Sequence, residues 1–387
     1  MKPTYSFPLL RNIEVKDLSE LLKPRIEKFP SKFRKTIADS GWKRINIILS
    51  DEIKNGFDDT DLEQQLFEKI VYELPDTIHL LNLSSDVNAQ EFYDSFISAS
   101  VRDRKISNPV RSDEKLISVR KEEDQVIFLF NLGITLLGDN RDQKANLYVP
   151  VIFDFNNHKC LIRLRRRQVS RSQLKTKEII DEVSSYIHQF TNIAINRFNE
   201  SKLHRDVMYN LFNDEANRAE DIIRNYMDDF SEDQLIEKIN HFLTNDLSLS
   251  EPNEYIERIT SIYYQDLFNN IDESRFNEGY IYGFSFFDRR NNRSSTKNKR
   301  QKPIYASKIY WNLKDLIHQH RELTELSLYW KFDKDDFTSS PEGDDFHFVE
   351  VNLREIHNTL ELRFYRTFSE FRRSQEQYVL YKIMQYL

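Results

Sequence analysis

Seven glycines in 387 residues is the fact that most narrows what this chain can build. An average sequence of this length would carry about 7% glycine, or roughly 27. Glycine supplies the positive-φ turns and close backbone approaches that phosphate-cradling loops need. Glycine-dependent sites are therefore not expected. No G-x-G-x-x-G is present, and the nearest approach to a phosphate-binding loop is Gly133-Ile-Thr-Leu-Leu-Gly138. It continues as Asp139-Asn140 where Lys-Ser/Thr is required, so the cation for the terminal phosphates is missing. The expectation there is a buried strand and its turn.

A single cysteine, Cys160, excludes an internal disulfide framework and a cysteine-based zinc site. It lies in a strand-like run, where it reads as a small buried hydrophobe. The longest uninterrupted apolar runs are about five residues, as at Val126 to Phe130, far short of a membrane span. The N-terminus MKPTYSFPLLRNIE lacks a signal-peptide apolar region. A soluble, cytoplasmic chain with no membrane partner is expected. Its length exceeds the size at which single cores usually stop growing, so two domains, or one large elaborated domain, are expected.

The periodicity predicts an α+β protein: an N-terminal α/β unit with β-hairpins, a central helical segment, and a C-terminal antiparallel sheet closed by a helix. The corresponding spans are 1–170, 171–275 and 276–387. In the first, Thr60 and Glu63 form a capping-box signature opening a helix from Asp61 to Leu74, stopped by Pro75. Ile45 to Leu49 and Ile78 to Leu83 read as flanking strands, followed by strands at Leu116 to Val119 and Val126 to Leu137. Leu147 to Phe155 and Lys159 to Arg165 alternate around Asn156-Asn157-His158, a hairpin signal. Helical patterning covers about 173 to 245, with Ser231 and Gln234 as a second capping box, and a further helix follows Pro252 to about Asn270. Strands are expected at Tyr280 to Phe287, Ile304 to Trp311, Leu326 to Phe332, Phe346 to Leu353 and Leu360 to Tyr365. A helix from Leu313 to Leu323 interrupts them, and one from Ser369 to Leu387 ends the chain. Residues 148–190 and 347–387 share a hairpin, a His/Asn turn, a basic exit and a helix, with few identities between them.

Charge is segregated. The formal total is −7, yet Arg163 to Lys177 (RLRRRQVSRSQLKTK) and Arg289 to Lys302 (RRNNRSSTKNKRQK) each hold seven basic residues and no acid. The other 358 residues therefore sum to −21. Were the first segment to continue the hairpin strand, its period of two would align Arg163, Arg165 and Arg167 at a spacing of about 6.6 Å, suited to successive phosphates. Arg166, Arg171, Lys175 and Lys177 extend that candidate footprint, with Ser170 and Ser172 as neutral donors. The second segment is expected at the tip of a hairpin between the Tyr280 and Ile304 strands, offering Arg289, Arg290, Arg293, Lys297, Lys299, Arg300 and Lys302. Against this, polar hairpin loops and basic edge strands also occur with no ligand at all, and a basic run can dock on acid of its own chain. Asp206 to Asp246 holds eleven acids against three basic residues.

Catalytic patterns are weak. Arg197 and His204 have a spacing used by helical ribonucleases, for phosphate binding and proton transfer. The carboxylates Asp333, Asp335, Asp336, Glu342, Asp344, Asp345 and Glu350 surround Ser339-Ser340-Pro341 and read as a solvated turn. Asp113-Glu114-Lys115 lacks an upstream acid, and His318-Gln-His320 lacks a third zinc ligand. No motif implies a cofactor, a metal or a recognisable enzyme. The leading expectation is a non-enzymatic nucleic-acid-binding component of a larger assembly, with DNA or RNA undecided and a protein partner or homo-oligomer expected. The alternatives are a nuclease effector in antiviral defence and a structural interaction subunit.

Overall fold

The computed structural model describes residues 5–85, 87–108, 114–136, 143–191, 194–196, 201–226, 231–287, 293–321, 323–333, 346–365 and 371–387. The chain is α+β and packs as two compact units, 1–197 and 198–387. The boundary falls inside the 171–275 helical span.

The first unit begins with α1 (Phe7–Leu10), α2 (Val15–Leu22), α3 (Phe29–Lys35), α4 (Gly41–Lys54) and α5 (Thr60–Glu68), which runs on into a π turn at Lys69–Glu73. After these come β1 (Thr77–Ser84), α6 (Ala89–Phe96), β2 (Leu116–Glu122), β3 (Gln125–Leu136), β4 (Lys144–Asp154), β5 (Lys159–Leu164), a single turn α7 (Arg166–Val169), α8 (Thr176–Phe190) and β6 (Ala194–Asn196). The Ile45 to Leu49 run is helix α4, not strand. Ser40 Oγ accepts from the Lys43 N–H at its N-terminus, and Ile45, Ile48 and Leu49 fall at helical spacing on the buried face while Ile47 stays partly exposed.

Strand order in this unit is β2-β3-β4-β5-β1, all antiparallel, with β6 also on β1. β4 and β5 are buried along nearly their whole length, so both sheet faces are covered, which is why they read as apolar runs. On one face Phe128, Val149, Val151, Phe153 and Cys160 pack with Phe92 of α6 and Ile179, Ile180, Val183 and Ile187 of α8. The other face carries Leu161 and Arg163 of β5 and is approached by α1 and the π turn. The expected β4–β5 hairpin is present. Asp154 closes it by accepting from the Asn157 backbone N–H at 3.0 Å, and His158 takes a left-handed conformation. Gly133, at φ +120°, sits in a bulge of β3 between Asn131 and Ile134. It shapes a strand there, while Gly138 to Asn140 lie outside the described residues.

The second unit has α9 (Ser201–Arg224), α10 (Glu232–His241), α11 (Asn253–Phe268), β7 (Gly279–Phe287), β8 (Arg293–Lys297), α12 (Lys308–His320), β9 (Leu323–Asp333), β10 (Phe346–Ile356), β11 (Thr359–Tyr365) and α13 (Arg372–Met384). Its antiparallel sheet runs β11-β10-β9-β7-β8. α9 lies against β7, β9 and β10, where the Trp330 indole N–H donates to Glu215 of α9 at 2.7 Å. Gly279 is required beside it, because a Cβ there would come within 2.7 Å of Trp330 Cδ1. α13 stacks Tyr378 on Phe332 at 4.3 Å.

The strand expected at Ile304 to Trp311 is absent. Ile304 gives one backbone bond to Ile281, then Ser307 caps α12, which buries Tyr310, Trp311 and Ile317. The chain's aromatic and β-branched residues there serve a helix face. The helix expected from Leu313 therefore starts five residues earlier.

Candidate nucleic-acid interface

β5 stops at Leu164 because the backbone turns into α7, and that turn decides the geometry of the first basic segment. A strand would have put Arg163, Arg165 and Arg167 in one row; a helical turn rotates successive residues by about 100° and fans them apart. The row does not form. Arg163, the last arginine on the strand, is 3% exposed, donates to the Val71 carbonyl at 3.0 Å and lies over the Tyr72 ring at 4.8 Å. It is part of the interior and out of reach of a ligand. Arg166 is held by Asp76, which accepts from its backbone N–H at 2.9 Å and pairs with its Nε at 3.3 Å.

Arg165, Arg167 and Arg171 line a cleft of about 460 Å³ together with Arg11, Lys16 and the Trp42 ring. The size is in the range of ligand-binding clefts, about 300–1,000 Å³. Among the described residues the lining holds five cations and one carboxylate, Glu14.

The cleft is framed by a polar lattice. Arg165 Nη1 donates to the Asn12 carbonyl at 2.8 Å, and buried Gln168 donates to Asn12 Oδ1 at 2.6 Å. Thr135 at the end of β3 donates to the Gln168 carbonyl, and the Leu136 N–H to that of Arg171. Arg11 donates to the Lys144 carbonyl at 3.3 Å. Three distant parts of the chain, 11–16, 135–144 and 165–171, are thereby locked together.

The hydrogen bond to the Asn12 carbonyl orients Arg165 without neutralising it. Burial, and beyond it the charge of Arg167, holds the Arg165 guanidinium below its ordinary pKa, against the pull of Asp76, Glu14 and Asp17. Like charges brought this close are relieved by an anion. The Arg167 side chain is exposed and makes no hydrogen bond or ion pair among the described residues. Arg171 Nη1 is buried and makes no hydrogen bond. Lys175 and Lys177 stand exposed at the start of α8.

The second basic segment differs from expectation in its placement. The return strand of its hairpin is β8 itself, pairing Arg293 with Phe287 and Lys297 with Gly283. Arg289 and Arg290 lie outside the described residues. Arg293 approaches Glu325 at 3.5 Å, Lys297 sits over the Tyr282 and Tyr365 rings, and Lys302 pairs with Glu273 at 2.6 Å. Lys299 and Arg300 are exposed with no side-chain partner among the described residues.

Of the weaker candidates, His204 and Glu350 are buried at 0% and 2%, and Arg197 is outside the described residues, as are 334–345 and Asp113. Glu114 pairs with Arg104 and Lys115 with Glu182. His318 is bound to the Tyr209 hydroxyl at 3.1 Å. Among the described residues no group of three or more His, Cys, Asp or Glu could hold a metal ion, and no helix is long and apolar enough to cross a membrane. Arg11, Lys16 and Trp42 were not legible as site residues, since each is isolated in sequence and only the fold brings it to the arginines. No protein-family model and no curated protein matches the chain.

Proposed function

We propose that this protein binds nucleic acid through the phosphate backbone, with the cleft of the first unit as its principal contact. The observation that carries the reading is the convergence of Arg11, Lys16, Arg165, Arg167 and Arg171 on one cavity in a protein of net charge −7. A cleft whose described lining carries five cations and one carboxylate suits a polyanion. The exposed Lys175 and Lys177 extend the positive surface along the chain from that cavity. The acid elsewhere keeps general attraction for polyanions low, so that binding depends on this contact.

The test is the affinity of the full chain for a fluorescently labelled oligonucleotide as a function of salt. Each phosphate neutralised contributes about 0.7–0.9 to the slope of log K against log salt. Arg167→Gln combined with Arg171→Gln is expected to flatten the slope by about 1.4–1.8. An unchanged slope, or no binding at low salt, overturns the proposal.

A further inference from the structure

The cleft is larger and chemically more mixed than a phosphate alone needs. Trp42, on α4, is the one aromatic ring among the described residues of its lining. Its indole N–H is already given to the Ile13 carbonyl at 2.9 Å. That bond fixes the ring and leaves carbon to face a ligand. A half-buried indole held in this way is a stacking platform with little conformational freedom left to lose.

Arg171 Nη1 is the second observation. A guanidinium N–H hidden from solvent and without an acceptor is unfavourable. Arg171 also lines the cleft, and a rotation of its guanidinium would bring that N–H to an anionic oxygen there. Exposed Arg167, on the same lining, adds charge without having to give up another partner.

We infer that the cleft receives one unpaired nucleotide of a single strand, its base laid on Trp42 and its phosphate held by Arg171 and Arg167. This rests on the nucleic-acid reading and narrows it to single strands. A base inside a duplex is covered above and below by its neighbours and has no face to give an indole. Backbone contact alone accepts either form, so a preference for single strands is what the ring adds.

The experiment uses the full chain, a labelled single strand of about twelve nucleotides, and the same strand annealed to its complement. The single strand is expected to bind about tenfold more tightly, and Trp42→Ala to weaken it by about five- to a hundredfold without changing the salt slope. Trp42→Phe keeps a ring and is expected to retain most of the affinity, which separates stacking from loss of the Ile13 bond. Trp311 and Trp330, the other two tryptophans, are buried at 2% and 1%. Single strand should therefore quench the intrinsic tryptophan emission, and Trp42→Phe should abolish that quenching. Equal binding of both forms, with quenching absent and Trp42→Ala neutral in a folded protein, overturns the inference and leaves phosphate binding standing. Absence of binding to either form at low salt overturns both.

Discussion

Arg163 and Arg167 belong to one basic run, and the fold gives them opposite work. Arg163 is buried with its guanidinium on a carbonyl and a ring, so Arg163→Ala strands the Val71 oxygen and empties a packed site. A loss of about 2–4 kcal/mol is expected, read as a lower urea midpoint. Arg167→Ala touches nothing packed and should change stability by no more than about 0.5 kcal/mol. If Arg163→Ala proves neutral, its interior role is wrong. Composition cannot make this distinction, because both residues are arginine in the same acid-free segment.

His318 is a second case where position alone decides. Burial first, then the charges of Lys314 and Arg321, push its pKa down to about 4 from an ordinary value near 6.5. The neutral ring shares a hydrogen bond with the Tyr209 hydroxyl through Nδ1. The unfolded chain binds the proton more readily than the folded one, so this contribution to stability is complete above pH 6.5. It is lost progressively as pH falls towards 4. His318→Gln is expected to make the melting temperature less sensitive to pH between about 6.5 and 4; an unaltered pH dependence would contradict the burial argument.

At the level of elements, local chemistry explains both what could be read and what could not. The β4–β5 hairpin was legible because Asn156-Asn157-His158 is turn chemistry between alternating strands. The β10–β11 hairpin uses His357 and Asn358, both at positive φ, between the paired Ile356 and Thr359. Two such residues make the two-residue turn whose twist suits a hairpin, a conformation that glycine and asparagine adopt cheaply. His357→Asn with Asn358→Gly is expected to add about 1 kcal/mol to unfolding stability, and His357→Val to remove about 1–3 kcal/mol. Urea unfolding checks both signs. By contrast, Ile45 to Leu49 and Ile304 to Trp311 were misread as strands because five to eight residues rich in β-branched and aromatic side chains cannot display a 3.6-residue period clearly. What settles them is a cap, Ser40 or Ser307, together with the partner surface that buries Ile48 or Trp311. The arginine-rich segment was legible as charge, but its fan was not, since Asp76, ninety residues earlier, holds the turn that makes it.

For the whole molecule the open contest is between two uses of the second basic segment. β8 is the terminal strand of its sheet, and Arg293 and Lys297 on it are exposed, which is how edge strands resist pairing with other chains. Both are also engaged within their own unit, Arg293 with Glu325 and Lys297 with two tyrosine rings. Lys299 and Arg300 are not, and edge protection does not require them. The residues outside the two basic segments sum to −21, so cations that no carboxylate engages should be visible in the salt dependence of binding. Lys299→Gln with Arg300→Gln is therefore expected to flatten the log K against log salt slope by about 1.4–1.8, on top of the change caused by Arg167→Gln and Arg171→Gln. Additive losses mean that both segments contact phosphate at once. An unchanged slope assigns the second segment to guarding its sheet edge, and Lys297→Val with Arg293→Val should then cause aggregation while leaving nucleic-acid affinity intact.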